Sequence, residues 1–385
     1  MNLPFDVPEA DILKWRRQIH ANPELSFKEY NTAGLVERVL TELGLKPIRP
    51  TPTSVLADLK GAGPGKMVAF RADMDALPLQ EETSLDFASK NTGVMHACGH
   101  DGHTAMLLGT AAVLSKMTGK FNGSVRFIFQ HAEERMPGGA REMVQAGAVA
   151  GVDAIFGLHI LNQKAGTVSV CSGPATTAAD VVNITIKGRG SHGSMPQAGI
   201  DPILVGAEIV LALHTIPSRS TSPKHVVVVS PGMFQGGEAP NIIPDMAQIG
   251  VSIRTVDPQD RDLVHDRCEE IVKGICESNR AGYEFEWLIG YDAVNNDAGL
   301  AQVALKAARA VLGEQNAAEG AGVLVSEDFS AFSNKVPACF IFLGGGTAAD
   351  GLPYQNHHPK FDFVESCLAR GTRTEVQIVL DMLAK

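Results

Sequence analysis

Apolar and polar positions alternate along the chain in a way that predicts helices and strands in turn. Apolar residues recur at helical spacing over residues 12–19 and 35–43, and Gly44 ends the second of these helices. In the rest of this part, strands are predicted at residues 54–59, 67–72, 124–130 and 154–159, and helices near 102–117 and 138–145. This alternation predicts an α/β domain with a mostly parallel sheet and flanking helices.

The pattern changes in the middle of the chain. Strands are predicted there at residues 181–187, 226–230 and 247–255, and helices near 203–213 and 260–279. This segment reads as a smaller α+β domain, after which helix and strand signals resume. We therefore expect one α/β domain in two segments, 1–180 and 293–385, interrupted by a second domain at 181–292.

Composition and charge exclude several classes of function. The chain has 385 residues and a formal net charge of −10, without a basic stripe, so nucleic acid is a poor candidate partner. The acidic start has no apolar signal core and no apolar run could span a bilayer, which predicts a cytoplasmic protein with no membrane partner. The six cysteines are scattered, unlike a disulfide framework.

Residues capable of chemistry cluster after the predicted strands of the first domain. They are Asp73 and Asp75, Cys98 and His100, Glu133 and Glu134, His159, and the late pair His357 and His358. Ligands of open α/β sheets bind beyond the carboxyl ends of the strands, so these side chains are expected to meet at one edge.

The spacing of these residues indicates a cation site. Cys98 and His100 lie two apart, so in an extended loop both can face one cation, and a thiolate with an imidazole suits Zn, Mn, Co or Ni. Adjacent carboxylates point opposite ways, so one of Glu133 and Glu134 can bind metal while the other faces substrate. Taken singly, each is more often a packing or hydrogen-bonding residue; their combination favours cation binding.

Other polar residues of these segments have simpler interpretations. We expect His103 to belong to a helix cap and Asp101 to orient His100 from outside the ligand set. Asp73 and Asp75 are expected to support ligands rather than bind metal. Residues 326–329 are compatible with a helix cap, and we assign them no chemistry.

Eight motifs together resemble one known family. They are RADMDALP, MHACGHDGHTAMLLG, HAEE, FGLH, SHGSMP, APNIIP, SEDFS and HHP. In this order they resemble the aminoacylase and glutamate-carboxypeptidase family of co-catalytic metallohydrolases, in particular the branch of hippurate hydrolases and indole-acetyl-amino-acid amidohydrolases. The resemblance covers nearly the whole chain and implies a catalytic domain interrupted by a lid and dimerisation domain.

The resemblance also implies roles for single residues. The ligands of two divalent cations, Zn or Mn first and Co or Ni as alternatives, would be Cys98, His100, Glu134, His159 and His357. His358 is the alternative to His357, and Glu133 matches the general base. His192 matches a residue that reaches the partner subunit's active site in family dimers.

Two further residues match positions that bind the substrate carboxylate, Asn241 and Arg254. Without the resemblance, Asn241 would be an ordinary turn residue and Arg254 a surface residue of a strand. The chain departs from many relatives at Gln197, where a histidine is common, and at 135–137, which replaces a glycine-rich stretch.

These expectations converge on a metal-dependent amidohydrolase and homodimer. It would cleave the amide bond of acetyl-, benzoyl- or aryl-acetyl-amino acids to a carboxylic acid and a free amino acid. The alternative is a dipeptidase or carboxypeptidase that uses the same site. A metal-binding scaffold without activity is a third interpretation, against which the intact Glu133 argues.

Overall fold

The structure, a computed structural model, describes residues 5–385. Residues 1–4, at the start of the first predicted domain segment, lie outside the described part of the chain. The chain divides into two compact units. The first unit contains the residues up to Ala175, Val294–Gly322 and Asp328–Lys385, and the second contains Thr176–Ala293 and Val323–Glu327.

The helices and strands follow in chain order. Up to residue 175 they are α1 (Glu9–His20), α2 (Tyr30–Glu42), β1 (Val55–Lys60), β2 (Met67–Asp73), α3 (His100–Ser115), β3 (Ser124–Gln130), α4 (Gly139–Gln145), β4 (Ala154–Leu161), β5 (Val168–Val170) and β6 (Gly173–Pro174). The second unit has β7 (Ala178–Lys187), β8 (Ser191–His192), α5 (Pro202–Leu213), β9 (Val227–Gly236), β10 (Ile242–Ile243), β11 (Met246–Thr255), α6 (Pro258–Ser278) and β12 (Gly282–Ile289). The last part has β13 (Asn295–Asn296), α7 (Ala298–Leu312), β14 (Ala317–Glu319), α8 (Ser330–Ser333), β15 (Ala338–Gly344) and α9 (Ser366–Met382). Single helical turns stand at Thr118–Lys120, Pro196–Ala198, Ile216–Ser220, Glu314–Asn316 and Ala348–Asp350.

The first unit is built on a seven-stranded sheet with the order β1-β3-β2-β4-β15-β5-β14. Its central strands β3, β2, β4 and β15 pair in parallel, whereas β1 and the β15–β5 pair are antiparallel. The predicted α/β class with a mostly parallel sheet is thereby confirmed. Strand β15 is buried along its whole length, as expected for a parallel strand with both faces covered.

The parallel register places the chemistry at one edge. Asp73, the last residue of β2, lies opposite Gln130, the last residue of β3. His159 on β4 lies opposite Phe342 on β15. Helix α3 is buried on all sides up to Leu114, which holds its first turn firmly against the sheet.

The second unit is an antiparallel sheet with the order β12-β7-β11-β9. Its apolar face packs on α5 and α6, and alternate residues of β11 are buried there, as the period-two pattern predicted. Asp201 and Asp257 cap the two helices by accepting backbone N–H groups of their first turns. Across residues 5–385, none of the helices is both long enough and apolar enough to cross a membrane.

Candidate metal centre

A sharp turn brings Cys98 and His100 to the same place. Gly99 between them has a φ of 92°, in the left-handed region that favours glycine, and α3 begins at His100. The expected extended loop is therefore wrong, because the chain turns directly from Cys98 into the helix, and the helix predicted near residues 102–117 starts two residues earlier. Both side chains are buried at the edge of the sheet.

Hydrogen bonds fix the orientation of two imidazoles. The Nδ1 atom of His100 lies 3.0 Å from the backbone oxygen of Asp75, and that of His159 lies 2.8 Å from the backbone oxygen of Ile160. Because each Nδ1 donates to a carbonyl, Nε2 is the ring nitrogen that carries the lone pair when the imidazole is neutral. This is the tautomer in which an imidazole binds a cation through Nε2.

The donor atoms form two groups that share one thiol. Cys98 lies with His100 and His159 in a first group and with Glu134 and His357 in a second, and the donor atoms within each group are at most 4.8 Å apart. We call these groups the first and second positions. The Sγ atom of Cys98 is 3.5 Å from His159 Nε2 at the first position. At the second, His357 Nε2 is 3.2 Å from Glu134 Oε1.

Two unpartnered atoms show that this pocket fits a cation. His100 Nε2 and Glu134 Oε1 are buried and have no hydrogen-bond partner within the described residues. Buried polar atoms without partners are costly and need an explanation. The two atoms lie 3.9 Å apart, and divalent cations at the two positions, one bound by His100 and the other by Glu134, would satisfy them.

The electrostatics of the pocket also favour a positive charge. Burial would lower the pKa of His100, but the facing carboxylates, with Asp73 the strongest, outweigh burial and raise it to about 10. Burial raises the pKa of the Cys98 thiol well above its usual range, and the charge of Glu134 raises it further. The thiol therefore needs a cation to become a thiolate, which is its metal-binding form.

His103 is occupied by other contacts. Its Nδ1 lies 2.6 Å from Asp73 Oδ1, and its Nε2 accepts the backbone N–H of Ile160 at 2.8 Å. Both ring nitrogens are thus used, although His103 belongs to a cluster of metal-binding residue types with Asp73 and His100. His103 therefore joins the end of β2 to the end of β4. The sequence analysis expected it only to belong to a helix cap.

Asp75 holds the segment that contains the two glutamates. Its carboxylate accepts the backbone N–H groups of Glu133 at 3.1 Å and of Glu134 at 3.0 Å. Its Oδ1 also lies 3.3 Å from His100 Nδ1. The expectation that Asp101 orients His100 is therefore wrong, because Asp75 does so.

Asp101 instead belongs to a buried ionic cluster with α1. It accepts from Arg16 Nε at 3.0 Å and lies 2.9 Å from His20 Nδ1. Burial would lower the pKa of His20, but Asp101 and Glu81 raise it to about 9. Sequence reasoning missed this cluster, and the apolar face of α1 gave no sign that Arg16 points inward.

Glu29 and Asp328 are further buried carboxylates to which the sequence analysis assigned no role. Glu29 Oε1 accepts the backbone N–H of Ala132 at 2.8 Å, immediately before Glu133. Asp328, from the SEDFS motif, accepts from Arg71 at 2.9 Å. A motif match marked the second of these residues, whereas nothing near Glu29 in the sequence pointed to it.

The two late histidines differ in their surroundings. His357 lies beside Glu134, whereas His358 stacks on Tyr354 with ring centroids 4.3 Å apart. The Nδ1 of His358 accepts the backbone N–H of Lys360 at 3.0 Å. The geometry therefore favours His357 over His358 as the candidate metal ligand.

The remaining predicted site residues lie in the second unit. His192 and Asn241 are neighbours there, because β8 pairs with β10 and the Gly193 N–H donates to the Asn241 carbonyl at 2.8 Å. Both are exposed. Arg254 lies on β11, where it donates to the Ser252 hydroxyl at 3.1 Å, and burial lowers its pKa.

Comparison with known proteins decides the family. The model of the peptidase family M20/M25/M40 matches residues 69–381. The chain belongs to this family. It is 49% identical over 293 residues, which are 76% of this chain and 79% of the relative, to an N-acyl-L-amino acid amidohydrolase of Geobacillus stearothermophilus.

Two further proteins bear on the reaction and the metal. The chain is 40% identical over 376 residues to thermostable carboxypeptidase 1 of Saccharolobus solfataricus, covering 96% of this chain and 95% of that one. The crystal structure of the Bacillus subtilis YXEP protein, described as a dinuclear metal binding peptidase, superposes with a TM-score of 0.85. It is 34% identical and covers 97% of this chain and 98% of its own. These findings confirm the predicted family and the predicted class of hydrolase, which acts on amide bonds.

Proposed function

We propose that this M20 hydrolase cleaves N-acyl amino acids, with acetyl, benzoyl or aryl-acetyl groups on the acyl side. The observation that carries the proposal is the arrangement of five donor residues in two groups that share Cys98, beside the buried carboxylate of Glu133. The relative with 49% identity, an N-acyl-L-amino acid amidohydrolase, supports this choice of substrate.

The ligands we propose for two divalent cations are Cys98, His100, Glu134, His159 and His357. Zn or Mn suits this mixed donor set best, with Co or Ni as alternatives. When bound, such cations supply Lewis acidity that lowers the pKa of water and polarises an amide carbonyl.

Glu133 acts as the general base in this proposal. It belongs to a cluster with His100 and Glu134, so its carboxylate reaches the same pocket as the ligands. It takes a proton from the attacking water and delivers it to the leaving amine. Asp75 and Glu29 keep the glutamate in place through the backbone N–H groups that they accept.

The second unit supplies the substrate-binding groups. We assign the substrate carboxylate to Arg254 and Asn241, because a guanidinium forms strong charge-assisted hydrogen bonds with a carboxylate. His192 stabilises the oxyanion, in the active site of the partner subunit. Segment 181–292 is thus the proposed lid and dimerisation domain.

A homodimer through this domain is supported by its exposed apolar surface. Strand β9 is an edge of the sheet, and Met233 and Phe234 on it are 40% and 41% exposed. Leu204 and Leu211 on α5 are 57% and 72% exposed. An unprotected edge strand beside an apolar helix face is suited to a second copy of the chain.

The free, buried cysteines support a reducing compartment, and we propose the cytoplasm.

The test of the substrate is a hydrolysis panel. Metal-loaded protein is offered acetyl-, benzoyl- and indole-acetyl-amino acids and dipeptides, and the released amino acid is quantified with each metal in turn. We expect the highest kcat/KM on an acyl amino acid. Faster cleavage of dipeptides would favour the carboxypeptidase alternative, which the relative from Saccharolobus solfataricus supports.

A further inference from the structure

One amide side chain joins three segments of the metal centre. The Nδ2 atom of Asn356 lies 3.1 Å from the carbonyl oxygen of Cys98 and 3.2 Å from that of Ile160. Asn356 itself directly precedes His357. Its two N–H groups therefore connect the loop that carries His357, the turn that carries Cys98, and the strand end that carries His159.

The backbone of His357 needs such a restraint. Its φ is 70°, in the left-handed region, which a residue with a β-carbon adopts only when its surroundings impose it. One restraint is the backbone N–H of His357, which donates to the Ala97 carbonyl at 2.7 Å. The two hydrogen bonds of Asn356, the residue directly before His357, are side-chain restraints on the same loop.

We propose that Asn356 is a positioning residue that sets the affinity of the second position for its cation without binding the cation itself. The inference rests on the proposed ligands Cys98, Glu134 and His357. Without the amide, the loop keeps its tether to Ala97 but loses its links to Cys98 and to β4. His357 then spends less time at the distance from Cys98 that one cation requires, so the cation at this position binds more weakly.

The first position is expected to be insensitive to the same change. The ring of His100 is held by Asp75, and the ring of His159 by the Ile160 carbonyl. His103 additionally accepts the Ile160 N–H. The Ile160 carbonyl also accepts from Asn356, but the two imidazole rings keep their own hydrogen bonds when the amide is removed, so the change is expected to act mainly on the second position.

Asn162 provides a matched control. Its Nδ2 donates to the carbonyl oxygens of Gly346 and Tyr354, each at 3.2 Å. It therefore restrains the same loop with the same number of amide hydrogen bonds, but neither accepting carbonyl belongs to a metal ligand or its neighbour. A general effect on the loop would appear in both variants.

The experiment is a titration of the metal-free protein with Co²⁺. Calorimetry gives the two dissociation constants, and the thiolate-to-cobalt absorption band reports on Cys98. We expect Asn356→Ala to weaken the second cation about 10–100-fold, the size of effect typical of residues that support ligands. The first cation should bind within about threefold of wild type, and Asn162→Ala should resemble wild type at both positions. Asn356→Leu keeps the side-chain volume and should give the same result if the alanine variant folds poorly.

The outcomes separate the inference from the site on which it rests. If wild type binds two cations and both Asn356 variants do so with unchanged constants, the inference is wrong and the site stands. The inference is equally wrong if both positions weaken alike or if Asn162→Ala has the same effect. A wild-type protein that takes up fewer than two cations would overturn the proposed site, and the inference with it.

Discussion

Glu133 and Glu134 allow a matched test of base against ligand. Both backbone N–H groups donate to Asp75, at 3.1 and 3.0 Å, so replacing either carboxylate by an amide leaves the backbone of this segment held. Glu133→Gln removes the proton acceptor. General base catalysis contributes roughly 10²–10⁴-fold, so kcat should fall by this factor, which corresponds to about 3–5 kcal/mol of activation free energy. The metal content should not change.

Glu134→Gln should instead weaken metal binding and leave the proton acceptor Glu133 in place. Glu134 Oε1 lies 3.2 Å from His357 Nε2 and 3.9 Å from His100 Nε2, and we propose it as the anionic ligand of the second position. The neutral amide should weaken that cation at least about tenfold. Turnover should then recover in part when excess metal is added, which Glu133→Gln cannot do.

The assay combines elemental analysis with turnover of an N-acetyl amino acid. Both variants are stripped of metal, reloaded at increasing concentrations and measured together with wild type. The assignment is refuted if Glu133→Gln retains more than about a tenth of the wild-type kcat or loses a cation. It is also refuted if the two variants respond identically to metal.

Three further predictions concern the second unit and the stability of the fold. Arg254→Ala should lower kcat/KM about 10–100-fold for N-acyl amino acids, because one charge-assisted hydrogen bond to the substrate carboxylate is lost. The loss should be much smaller for the corresponding amides, which lack the carboxylate. Equal losses on both substrates would show that Arg254 does not bind the carboxylate. Inactive Glu133→Ala and His192→Ala variants, refolded together with distinguishable tags, should regain about a quarter of wild-type activity if sites are shared across a two-fold dimer. Tagged heterodimers without activity would contradict this. Burial raises the pKa of Glu375, whose carboxylate accepts from Thr110 at 2.5 Å, to about 8. Because the folded chain holds this proton more tightly than the unfolded chain, stability should fall as pH rises from about 4.5 towards 8, and Glu375→Gln should melt higher than wild type at pH 8 but not at pH 4.5. Equal melting-temperature differences at both pH values would show that Glu375 is ionised in the fold.

Local sequence pattern predicted those features that depend on neighbouring residues. The strands that end in Asp73, Gln130 and His159 were recognisable as short apolar runs, and their parallel pairing places their ends together. Cys98 and His100 are close in sequence, so their proximity in space followed directly. The strand β12 was missed, although Tyr283, Phe285 and Trp287 alternate with polar residues, because the long helix before it obscured the boundary.

Contacts between distant segments could not be predicted in this way. The bond from Ala132 to Glu29 spans 103 residues, and the bond from Arg16 to Asp101 spans 85. Asp101 was expected to serve its neighbour His100, yet α1 delivers a guanidinium that binds its carboxylate instead. The amide of Asn356 likewise acts on carbonyls 258 and 196 residues away. Such choices depend on tertiary packing, which periodicity along the chain does not encode.

The most direct test of the two-cation hydrolase is activity against metal content. Chelated protein is titrated with Zn²⁺ or Mn²⁺ while the release of free amino acid from an N-acyl amino acid is followed. The arrangement of Cys98 between two groups of ligands predicts that chelated protein is inactive and that full turnover requires two equivalents of metal per chain. Full turnover with one equivalent, or turnover that survives complete chelation, would contradict it.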